Sequence, residues 1–428
     1  MQIAMVSEHA NPLAPLGGVD AGGQNVHVGE LAAACARRGH DVTVYTRRDD
    51  SVTDTEVVTG AGYRVVHVPA GPPEPIPKDD ILPHLGDFAG FLRRRWSAEP
   101  PDIVHAHFWM SGMASELAVR GLDIPVVLTF HALGSVKRRY QGAADTSPAS
   151  RIKFERLIAA RADRIIATSR DEVSELGRMG VPRGRVSVVP CGVDLALFTP
   201  DGPAAPRGRR HRLVSIGRPV PRKGFDTAIR ALRHLPDTEL LIAGGCAGTE
   251  ADMDTVSVNE PDHAAILPAD APRVPESNED VEMHRLRRIA AESGVADRVR
   301  LLGRVPRARM PELLRSADIV VCTPWYEPFG MVPLEAMACG VPVVAGAVGG
   351  MLDTVTADIT GLHVAPQPAP VARALACLLE DPARRQAMGA AGRRRACTHY
   401  SWDRVADDTL EIYRQAAPTR SAPVAAEP

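Results

Sequence analysis

The chain begins with QIAMV at residues 2–6, continues through GGQNVHVGELAAACARRG at 22–39 and reaches DVTVYT at 41–46. The middle stretch has apolar residues at the i, i+3, i+4 and i+7 positions of one helix face, namely Val28, Leu31, Ala32 and Cys35. It closes on Gly39, a residue type that commonly ends helices. The two flanking runs have the composition of buried strands. The three segments therefore predict a strand, a helix and a second parallel strand.

Similar apolar runs continue downstream and predict more strands of the same kind. They are YRVVHV (63–68), DIVHAH (102–107), PVVLTF (125–130), DRIIATS (163–169) and RVSVVP (185–190). The stretch TPDGPAAPRGRRHR at 199–212 interrupts the pattern, and its Pro, Gly and Arg content predicts a linker. A second series then begins, with RLVSIG (212–217), ELLIAGG (239–245), RVRLLG (298–303), DIVVCT (318–323) and VPVVAG (341–346).

The two series predict an α/β protein with two Rossmann-like domains, each a doubly wound parallel sheet, facing each other across a cleft. We expect the first domain at 1–198 and the second at 213–400, joined by the linker at 199–212. A length of 428 residues agrees, because single cores rarely grow beyond about 250–300 residues. Ligands of such sheets bind beyond the carboxyl ends of the strands, so the loops at those ends should carry the chemistry.

The bulk composition excludes several classes of partner. Lys and Arg number 50 against 52 Asp and Glu, so the chain offers no net field for nucleic acid or an anionic membrane. No apolar run reaches about 18 residues and the N-terminus has no basic leader, so we expect a cytoplasmic protein without an integral membrane segment. The seven cysteines are scattered and never spaced as a zinc motif, which predicts reduced thiols. Small molecules are the expected partners.

Two segments fall outside the periodic pattern. Residues 247–282 are acidic and contain several prolines, which predicts a long surface loop. Asp252 and Asp254 in this loop are residue types that hold divalent cations, but no strand end fixes their spacing, so a solvated loop is the preferred interpretation. Residues 416–428 have the composition of a disordered tail.

Two loops at predicted strand ends have residues that suit phosphates. Gly22 and Gly23 open the first helix, where bare backbone N–H groups can approach an anion, although a plain strand-to-helix turn would look the same. The stretch SIGRPVPRKG at 215–224 places Arg218 and Lys223 after the first strand of the second domain. An Arg fork and a compact Lys charge can neutralise a diphosphate without a metal, and the alternative is a solvated basic loop.

The most informative stretch is YEPFGMVPLEAMACGVPVV at 326–344. Glu327 lies in the loop after a predicted strand, and Glu335 is predicted in the first turn of the helix that follows Pro333. Both carboxylates would then face the cleft and accept hydrogen bonds from sugar hydroxyls. In the alternative interpretation, Glu335 is a charge partner of the helix N-terminus and Glu327 is a surface residue.

His131 ends the predicted strand PVVLTF and is a candidate site residue. A strand-end histidine is more often a structural residue, so the position alone decides little. The neighbouring HAH at 105–107 offers two more imidazoles, but no third ligand has a defined position, which argues against a zinc site. We therefore predict no metal site.

Four motifs in order along the chain carry a resemblance to a known family. They are GGQNV (22–26), GRPVPRKG (217–224), EPFGMVPLEAMACG (327–340) and GGMLDTV (349–355). Across residues 1–415 the chain resembles the retaining GT-B glycosyltransferases of the sucrose synthase and glycogen synthase type, family 4. Within that family it is most similar to the bacterial D-inositol 3-phosphate glycosyltransferases of mycothiol synthesis. The resemblance also implies that a C-terminal helix at 402–415 returns to the first domain.

By this resemblance, the chain moves a hexose or N-acetylhexosamine from a nucleotide diphosphate sugar, with a UDP-sugar favoured, to a small hydroxylated acceptor. The configuration of the sugar is retained, no further cofactor is required, and the leaving diphosphate helps to deprotonate the acceptor. The implied catalytic residues are Arg218, Lys223, His131 and Glu327. The implied donor-binding residues are Gly22, Gly23, Arg218, Lys223, Arg304, Val305, Glu327, Phe329, Gly330, Met331 and Glu335. The implied acceptor-binding residues are Asn25, Lys78, Phe108, His131 and Arg151.

The acceptor is the least constrained part of the resemblance. Lys78 and Arg151 stand where the inositol-phosphate enzymes have phosphate-binding cations, which favours an anionic acceptor. Phe108 and Ala132, however, replace hydroxyl-bearing residues expected in those enzymes, so another cyclitol, sugar or natural product remains open. Two other functions share the layout, a hydrolysing sugar-nucleotide epimerase and a non-catalytic sugar-nucleotide sensor. The sequence also leaves room for a homodimer.

Overall fold

The structure, a computed structural model, describes residues 1–14, 22–245 and 278–417. The chain forms two compact units, which divide between Cys191 and Gly192 and again between Ser401 and Trp402. The first boundary lies before the expected end of the first domain at 198, so residues 192–198 belong to the second unit. The acidic pair Asp252 and Asp254 and most of the predicted tail lie outside the described residues.

The first unit is built on an eight-stranded sheet. Its strands are β1 (Gln2–Val6), β2 (Asp41–Arg47), β3 (Glu56–Val58), β4 (Arg64–Val68), β5 (Ile103–His107), β6 (Val126–Thr129), β7 (Arg164–Ala167) and β8 (Val186–Val188). They lie in the order β3-β4-β2-β1-β5-β6-β7-β8, and every pair is parallel except β3 with β4. The order reverses between β1 and β5, which is where doubly wound sheets bind ligands.

Helices cover this sheet between successive strands. They are α1 (Gly23–Arg37), α2 (Leu85–Ala98), α3 (Trp109–Ala118), α4 (Gly134–Gln141), α5 (Arg151–Arg161) and α6 (Arg170–Arg178). The predicted apolar face of α1 is fully covered, since Val28, Leu31 and Cys35 are each at most 1% exposed. The helices therefore bury the faces of a sheet whose strands are apolar on both sides, as parallel sheets require.

The second unit has a six-stranded sheet in which all pairs are parallel. Its strands are β9 (His211–Ile216), β10 (Thr238–Ala243), β11 (Val299–Gly303), β12 (Ile319–Cys322), β13 (Val343–Gly346) and β14 (Gly361–Val364). The order β11-β10-β9-β12-β13-β14 reverses between β9 and β12. This is the strand order of a dinucleotide-binding Rossmann sheet.

The described helices of the second unit follow the same alternation. They are α7 (Phe225–Leu232), α8 (Asn278–Glu292), α9 (Met310–Arg315), α10 (Met331–Ala338), α11 (Met351–Thr354), α12 (Pro368–Glu380) and α13 (Pro382–His399). The core joins Leu213 and Ile319 of the sheet to helix residues such as Ile229 and Leu375, all fully buried.

The last helix, α14 (Trp402–Ala416), belongs to the first unit. Its Trp402, Leu410 and Tyr413 are buried in the same cluster as the apolar face of α1. Burial of side chains of this size stabilises the unit by roughly 1.5–3 kcal/mol each. Arg38 adds ion pairs to Asp403 and Asp407 at 3.0 and 2.5 Å, which fix the helix at its solvent edge.

The predicted fold class is confirmed, and every apolar run identified as a strand forms one. Two strands were missed. The edge strand β3 has only three residues, EVV, that are exposed or half-buried, so it shows no apolar pattern. Strand β14 starts at Gly361, where a Cβ atom would lie 2.1 Å from the carbonyl oxygen of Val343, and glycine is a poor strand signal.

The described cysteines and helices bear on two of the sequence predictions. Each cysteine that the structure describes is a free thiol. Among the described residues, no helix has the length and apolar character needed to span a membrane.

Candidate active site

The loops after β9 and β12 meet where the strand order of the second sheet reverses. The loop after β9 forms a short 3-10 turn at Pro221–Lys223, and the loop after β12 leads to Glu327. The ammonium of Lys223 donates to Oε2 of Glu327 at 2.6 Å. Both side chains are less than one-fifth exposed. The sequence predicts both residues as ligands, and the structure joins them as one ion pair.

Backbone contacts hold these two loops against each other. Gly224 has a φ of +69°, and a Cβ atom there would lie 1.9 Å from the carbonyl oxygen of Thr323. The Thr323 hydroxyl donates to the Gly224 carbonyl at 2.8 Å, and the Trp325 amide donates to the Arg222 carbonyl at 2.8 Å. Only glycine permits this approach, so its place directly after Lys223 fixes where the lysine leaves the backbone.

The charge state of Glu327 follows from its surroundings. Burial alone would raise the pKa of this carboxyl, but the positive charges of Lys223 and Arg222 and the hydrogen bond from Lys223 outweigh it, so the pKa is lowered. The carboxylate therefore stays ionised at neutral pH. Lys223 donates to one of its two oxygens, and a carboxylate can accept further hydrogen bonds, so a contact with a sugar hydroxyl stays a prediction.

The motif GGMLDTV braces the loop that carries Glu327. The Gly350 amide donates to the carbonyl of Glu327 at 2.9 Å, and the Thr354 hydroxyl donates to the carbonyl of Phe329 at 3.0 Å. A Cβ atom on Gly350 would lie 2.5 Å from Cα of Phe329. The glycines thus let a neighbouring chain segment pack directly on the backbone of this loop.

The helix after this loop places Glu335 differently from the sequence prediction. Helix α10 begins at Met331, two residues before Pro333, with Gly330 as its N-cap at a φ of +95°. Glu335 therefore lies beyond the first turn, and the predicted position was wrong because proline is tolerated anywhere in a first helical turn. The backbone amides of Phe329, Gly330 and Met331, at and before the start of this helix, remain the predicted sugar ligands.

Glu335 has a partner that the sequence analysis missed. Arg307 donates to its Oε1 at 3.1 Å from the loop after β11. Burial raises the pKa of the Glu335 carboxyl, and Arg307 only partly offsets this. Arg307 lies in the same loop as the predicted donor ligands Arg304, which is exposed, and Val305, which is 8% exposed. The loop is thus tied to α10 through Arg307, a link with no local sequence signal.

In the first unit, the corresponding reversal point lies at β1 and β5. The loop after β1 carries Glu8, a carboxylate only 1% exposed. One of its oxygens lies 2.6 Å from Nδ1 of His9, and the other accepts from the hydroxyl of Ser111, at the start of α3. The His9 ring packs edge-on against Phe108 with centroids 4.8 Å apart. Glu8 and His9 were not predicted, because adjacent residues in a loop show no periodic pattern.

Phe108 brings the two predicted acceptor cations together. The Lys78 ammonium lies 5.8 Å and the Arg151 guanidinium 5.0 Å from the centre of its ring, within the range of cation–π contacts. Phe108 itself has a φ of +86°, a strained backbone for a residue with a Cβ. Such strain is typical of functional sites. The structure therefore groups three of the predicted acceptor residues.

Arg151 also braces the loop after β6. Its guanidinium, 2% exposed as a residue, donates to Glu155 at 2.8 Å and to the carbonyl of Ala132 at 2.7 Å. Glu155 in turn accepts from the Gly134 amide, which opens α4, at 2.9 Å. Burial raises the pKa of the Glu155 carboxyl, and Arg151 only partly offsets this. Arg151 thus has structural bonds beside its predicted acceptor contact.

The glycine loop uses Asn25 to hold its own backbone. The Asn25 side chain, 3% exposed as a residue, accepts from the Gly22 amide at 3.0 Å and donates to the carbonyl of Asn11 at 2.9 Å. Gly23 is exposed at the first position of α1, and among the residues that the structure describes no atom lies within 4 Å of a Cβ built on Gly22. The Gly22 amide is thus already used by Asn25, and the exposed Gly23 remains the predicted anion contact, as an acceptor contact by Asn25 also stays a prediction.

His131 lies in a group of buried histidines behind this site. Its Nε2 is 3.0 Å from Nδ1 of His107, the last residue of β5. The ring of His27, from α1, lies 5.0 Å from that of His131 between centroids. His105 bonds instead to Tyr413 at 2.7 Å and to Thr129 at 2.8 Å. Sequence position alone could not show that His27 completes this group.

Burial keeps these imidazoles uncharged. It lowers the pKa of His27 to about 4 and that of His105 to about 3. The pKa values of His107 and His131 are also well below the usual range, because burial acts together with the neighbouring imidazoles. One nitrogen from each of His27, His107 and His131 lies within 4.8 Å of the others, so a third imidazole is present that the sequence analysis did not place. The absence of a metal site stays a prediction.

Comparison with known proteins identifies the family. The model for "Glycosyltransferase Family 4" matches residues 21–197, and that for "Glycosyl transferases group 1" matches residues 203–395. The chain is 36% identical to a D-inositol 3-phosphate glycosyltransferase of Xylanimonas cellulosilytica, over 98% of both chains. It is 38% identical to the enzyme of that name from Kineococcus radiotolerans, over 100% of this chain and 98% of the other. The chain belongs to glycosyltransferase family 4.

Solved structures agree with this family 4 assignment. Sucrose-phosphate synthase of Thermosynechococcus elongatus matches with a TM-score of 0.84 and 30% identity, covering 97% of this chain and 99% of that one. Anabaena HepE, solved with UDP and glucose, matches with a TM-score of 0.71 at 19% identity, which shows the GT-B fold alone. The predicted family and the GT-B fold are both confirmed, and the chain is a glycosyltransferase.

The predicted residues of the family 4 glycosyltransferase fall into groups within each unit. In the second unit, Lys223 and Glu327 contact each other directly, and Arg218 starts the same loop as Lys223. In the first unit, Lys78 and Arg151 share the Phe108 ring. The partners that were missed are Arg307, Glu8, His9 and His27, which reach these groups from other elements.

Proposed function

We propose that this glycosyltransferase moves a hexose or N-acetylhexosamine from a nucleotide diphosphate sugar, preferentially a UDP-sugar, to a small anionic hydroxylated acceptor, with retention of configuration. The observation that carries the proposal is the Lys223–Glu327 pair at the point where the second sheet reverses its strand order. A cation and a carboxylate held 2.6 Å apart match a donor that presents a phosphate next to sugar hydroxyls.

Lys223 and Arg218 are the residues we assign to the diphosphate. The reaction makes negative charge on the departing diphosphate, so fixed cations there stabilise the transition state more than the ground state. Lys223 is held in place by Glu327 and by the turn that ends at Gly224, which limits the reorganisation needed during reaction. We assign no metal ion to this step.

We assign Glu327 to binding and not to covalent attack. Its carboxylate is ionised and committed to Lys223 through one oxygen, which suits a hydrogen-bond acceptor for a sugar hydroxyl. In the proposed same-face displacement, the acceptor oxygen bonds to the anomeric carbon as the bond to the diphosphate breaks. The acceptor proton passes to an oxygen of the leaving diphosphate, so charge and atoms balance without an enzyme nucleophile.

The acceptor side is proposed from Lys78, Phe108 and Arg151. Two cations on one aromatic ring favour an anionic acceptor, and the two relatives named D-inositol 3-phosphate glycosyltransferase make a phosphorylated cyclitol the first candidate. Phe108 has no hydroxyl to offer such a phosphate. A sugar phosphate or another anionic natural product is the alternative within the same class. We further expect a cytoplasmic enzyme, with a homodimer left to experiment.

Thermal shifts with UDP-, GDP- and ADP-sugars test the donor, because a ligand that binds only the folded state raises the melting temperature. Mass spectrometry with candidate acceptors then identifies the product, and the anomeric coupling in its NMR spectrum shows whether configuration is retained. An inverted product would contradict the same-face displacement.

Incubation with the donor alone separates this function from the epimerase alternative, which the family relatives do not favour. We expect no epimer without an acceptor. Binding of a donor without product from any anionic acceptor would contradict the proposed acceptor class.

A further inference from the structure

His131 lies at the centre of a strained three-residue turn. The Ala132 amide donates to the carbonyl of Phe130 at 2.7 Å, and His131 between them has a φ of +59°. A turn with this bond and a positive φ is the rare and strained form of the γ-turn. Arg151 holds it through the Ala132 carbonyl. The turn therefore fixes the direction in which the His131 side chain leaves the backbone.

The His131 side chain has a single hydrogen bond within the described residues, from its Nε2 to Nδ1 of His107. The residue is half-buried. Its Nδ1 is therefore the ring nitrogen left for a ligand. Which of the two rings supplies the shared proton decides whether this nitrogen is a donor or an acceptor, because a neutral imidazole carries only one N–H.

The surroundings of His107 decide which of the two rings donates the shared proton. It is fully buried, and its Nε2 has no hydrogen-bond partner among the residues that the structure describes. If His131 donated the shared proton, neutral His107 would hold its own proton on Nε2, as a buried N–H without an acceptor. If His107 donates from Nδ1, the buried nitrogen carries only a lone pair. Buried N–H groups without a partner are the rarer case in proteins.

We propose that His107 is a positioning residue that donates from Nδ1 to Nε2 of His131 and so makes Nδ1 of His131 a fixed hydrogen-bond donor toward the substrate. This inference rests on the proposed function and on the catalytic and acceptor-binding role that the family resemblance implies for His131. His131 then donates to a substrate oxygen and does not act as a general base. This agrees with a reaction in which the leaving diphosphate takes the acceptor proton.

The surroundings keep both rings in the neutral state that this arrangement needs. Burial is the main cause of the lowered pKa of His131, and the imidazoles of His27, His105 and His9 lower it further. No carboxylate is hydrogen-bonded to His107 or His131 in the part of the chain that the structure describes. A carboxylate at Nε2 of His107 would have reversed the direction of the shared hydrogen bond, because it would hold the single proton of neutral His107 on that nitrogen.

Long-range proton–nitrogen NMR of the full-length enzyme labelled with 15N-histidine tests the proposal directly. Protonated and bare ring nitrogens have distinct shifts, and substitutions of single histidines assign them. We expect a proton on Nδ1 of both His107 and His131, with both Nε2 atoms bare. A proton on Nε2 of His131 would overturn the proposal. The measurement needs no substrate, so it stands whether or not the proposed function is correct.

Three substitutions of His107 give the kinetic test. In His107→Asn the side-chain amide can donate from near the position of Nδ1, so we expect kcat within roughly threefold of the wild type. His107→Leu removes the donor, and His107→Asp offers only acceptors and reverses the tautomer of His131. For both we expect kcat to fall by about a hundredfold with little change in donor KM, because a misaligned reacting group can cost that much.

The pattern across the three variants separates positioning from a structural role. Equal losses in His107→Asn and His107→Leu, with His131 still protonated on Nδ1 in both, would overturn the proposal. If a variant does not fold, the NMR spectrum of the wild type still decides the tautomer. If no acceptor is ever glycosylated, the proposed function fails and the tautomer result remains.

Discussion

Both sheets reverse their strand order, but the side chains near the two reversal points differ in charge. At the reversal point of the second sheet, charged side chains pair directly, with Lys223 on Glu327 and Arg307 on Glu335. Behind the reversal point of the first sheet, the polar groups are imidazoles that burial keeps neutral, among them His107 and His131. We therefore expect substitutions at the charged pairs of the second unit to act on the charge of the reaction, and substitutions at the imidazoles of the first unit to act on alignment and stability.

The largest effect is expected from a substitution in a charged pair of the second unit. Lys223→Ala removes a diphosphate ligand and leaves Glu327 buried without its partner, so we expect kcat to fall by at least about a hundredfold. Steady-state kinetics with a saturating donor measure it. Exposed Lys153 provides the matched control, and Lys153→Ala should keep wild-type turnover. Near-normal turnover in Lys223→Ala with an intact fold would remove the proposed diphosphate role.

A second substitution tests the other charged pair of the second unit. Arg307→Leu leaves Glu335 buried with a raised pKa and no countercharge, so the carboxyl becomes neutral more easily. If Glu335 accepts a hydrogen bond from a sugar hydroxyl of the donor, we expect donor KM to rise by roughly tenfold, because a hydrogen bond to a charged group is worth about 1.5–3 kcal/mol. The Arg304→Leu variant, at an exposed residue of the same loop, is the comparison for the donor KM of Arg307→Leu. Unchanged KM in Arg307→Leu would limit the Arg307–Glu335 pair to a structural role.

The neutral side of the comparison predicts a pH dependence of stability. The buried histidines have folded pKa values below the ordinary 6.5, so the unfolded chain binds protons first as the pH falls. Stability is therefore full above pH 6.5 and is lost below it. His27 alone should cost about 1.4 kcal/mol per pH unit between 6.5 and its folded value of about 4.

Denaturant unfolding over this pH range measures the loss. His27→Phe should reduce the slope by the share of one histidine, since an aromatic ring is kept and the titrating group is removed. His234, which is exposed, supplies the control, and His234→Phe should leave the slope unchanged. An unchanged slope in His27→Phe would show that His27 is not held neutral in the folded protein.

The smallest expected effect concerns metal. One nitrogen from each of His27, His107 and His131 lies within 4.8 Å of the others, whereas bonds of about 2.0–2.1 Å to tetrahedral zinc need separations of roughly 3.3 Å. His107 and His131 also bond to each other. We expect no zinc to remain after dialysis against a zinc solution and then metal-free buffer, as measured by mass spectrometry of metals. Stoichiometric zinc that disappears in His27→Phe would identify a metal site.

The sequence predicted the parts of the site that lie close together along the chain. Strands with apolar runs, the loops at their ends and the residues Lys223 and Glu327 all belong to short motifs with a local pattern. Partners from other elements could not be predicted in this way. Arg307 meets Glu335 from 28 residues away, and His27 of α1 meets His131 of the loop after β6. Such contacts depend on strand order and register, which periodicity does not reveal.

The return of α14 to the first unit has a consequence for how the protein is made. Tyr413 is fully buried and bonds to His105, and Trp402 packs against His27, so the last helix completes the core that surrounds the histidines. The entire second unit is synthesised before this helix. On the ribosome, the first unit to begin is therefore the last to be finished, and its histidine group stays without two of its aromatic neighbours until synthesis has passed residue 413.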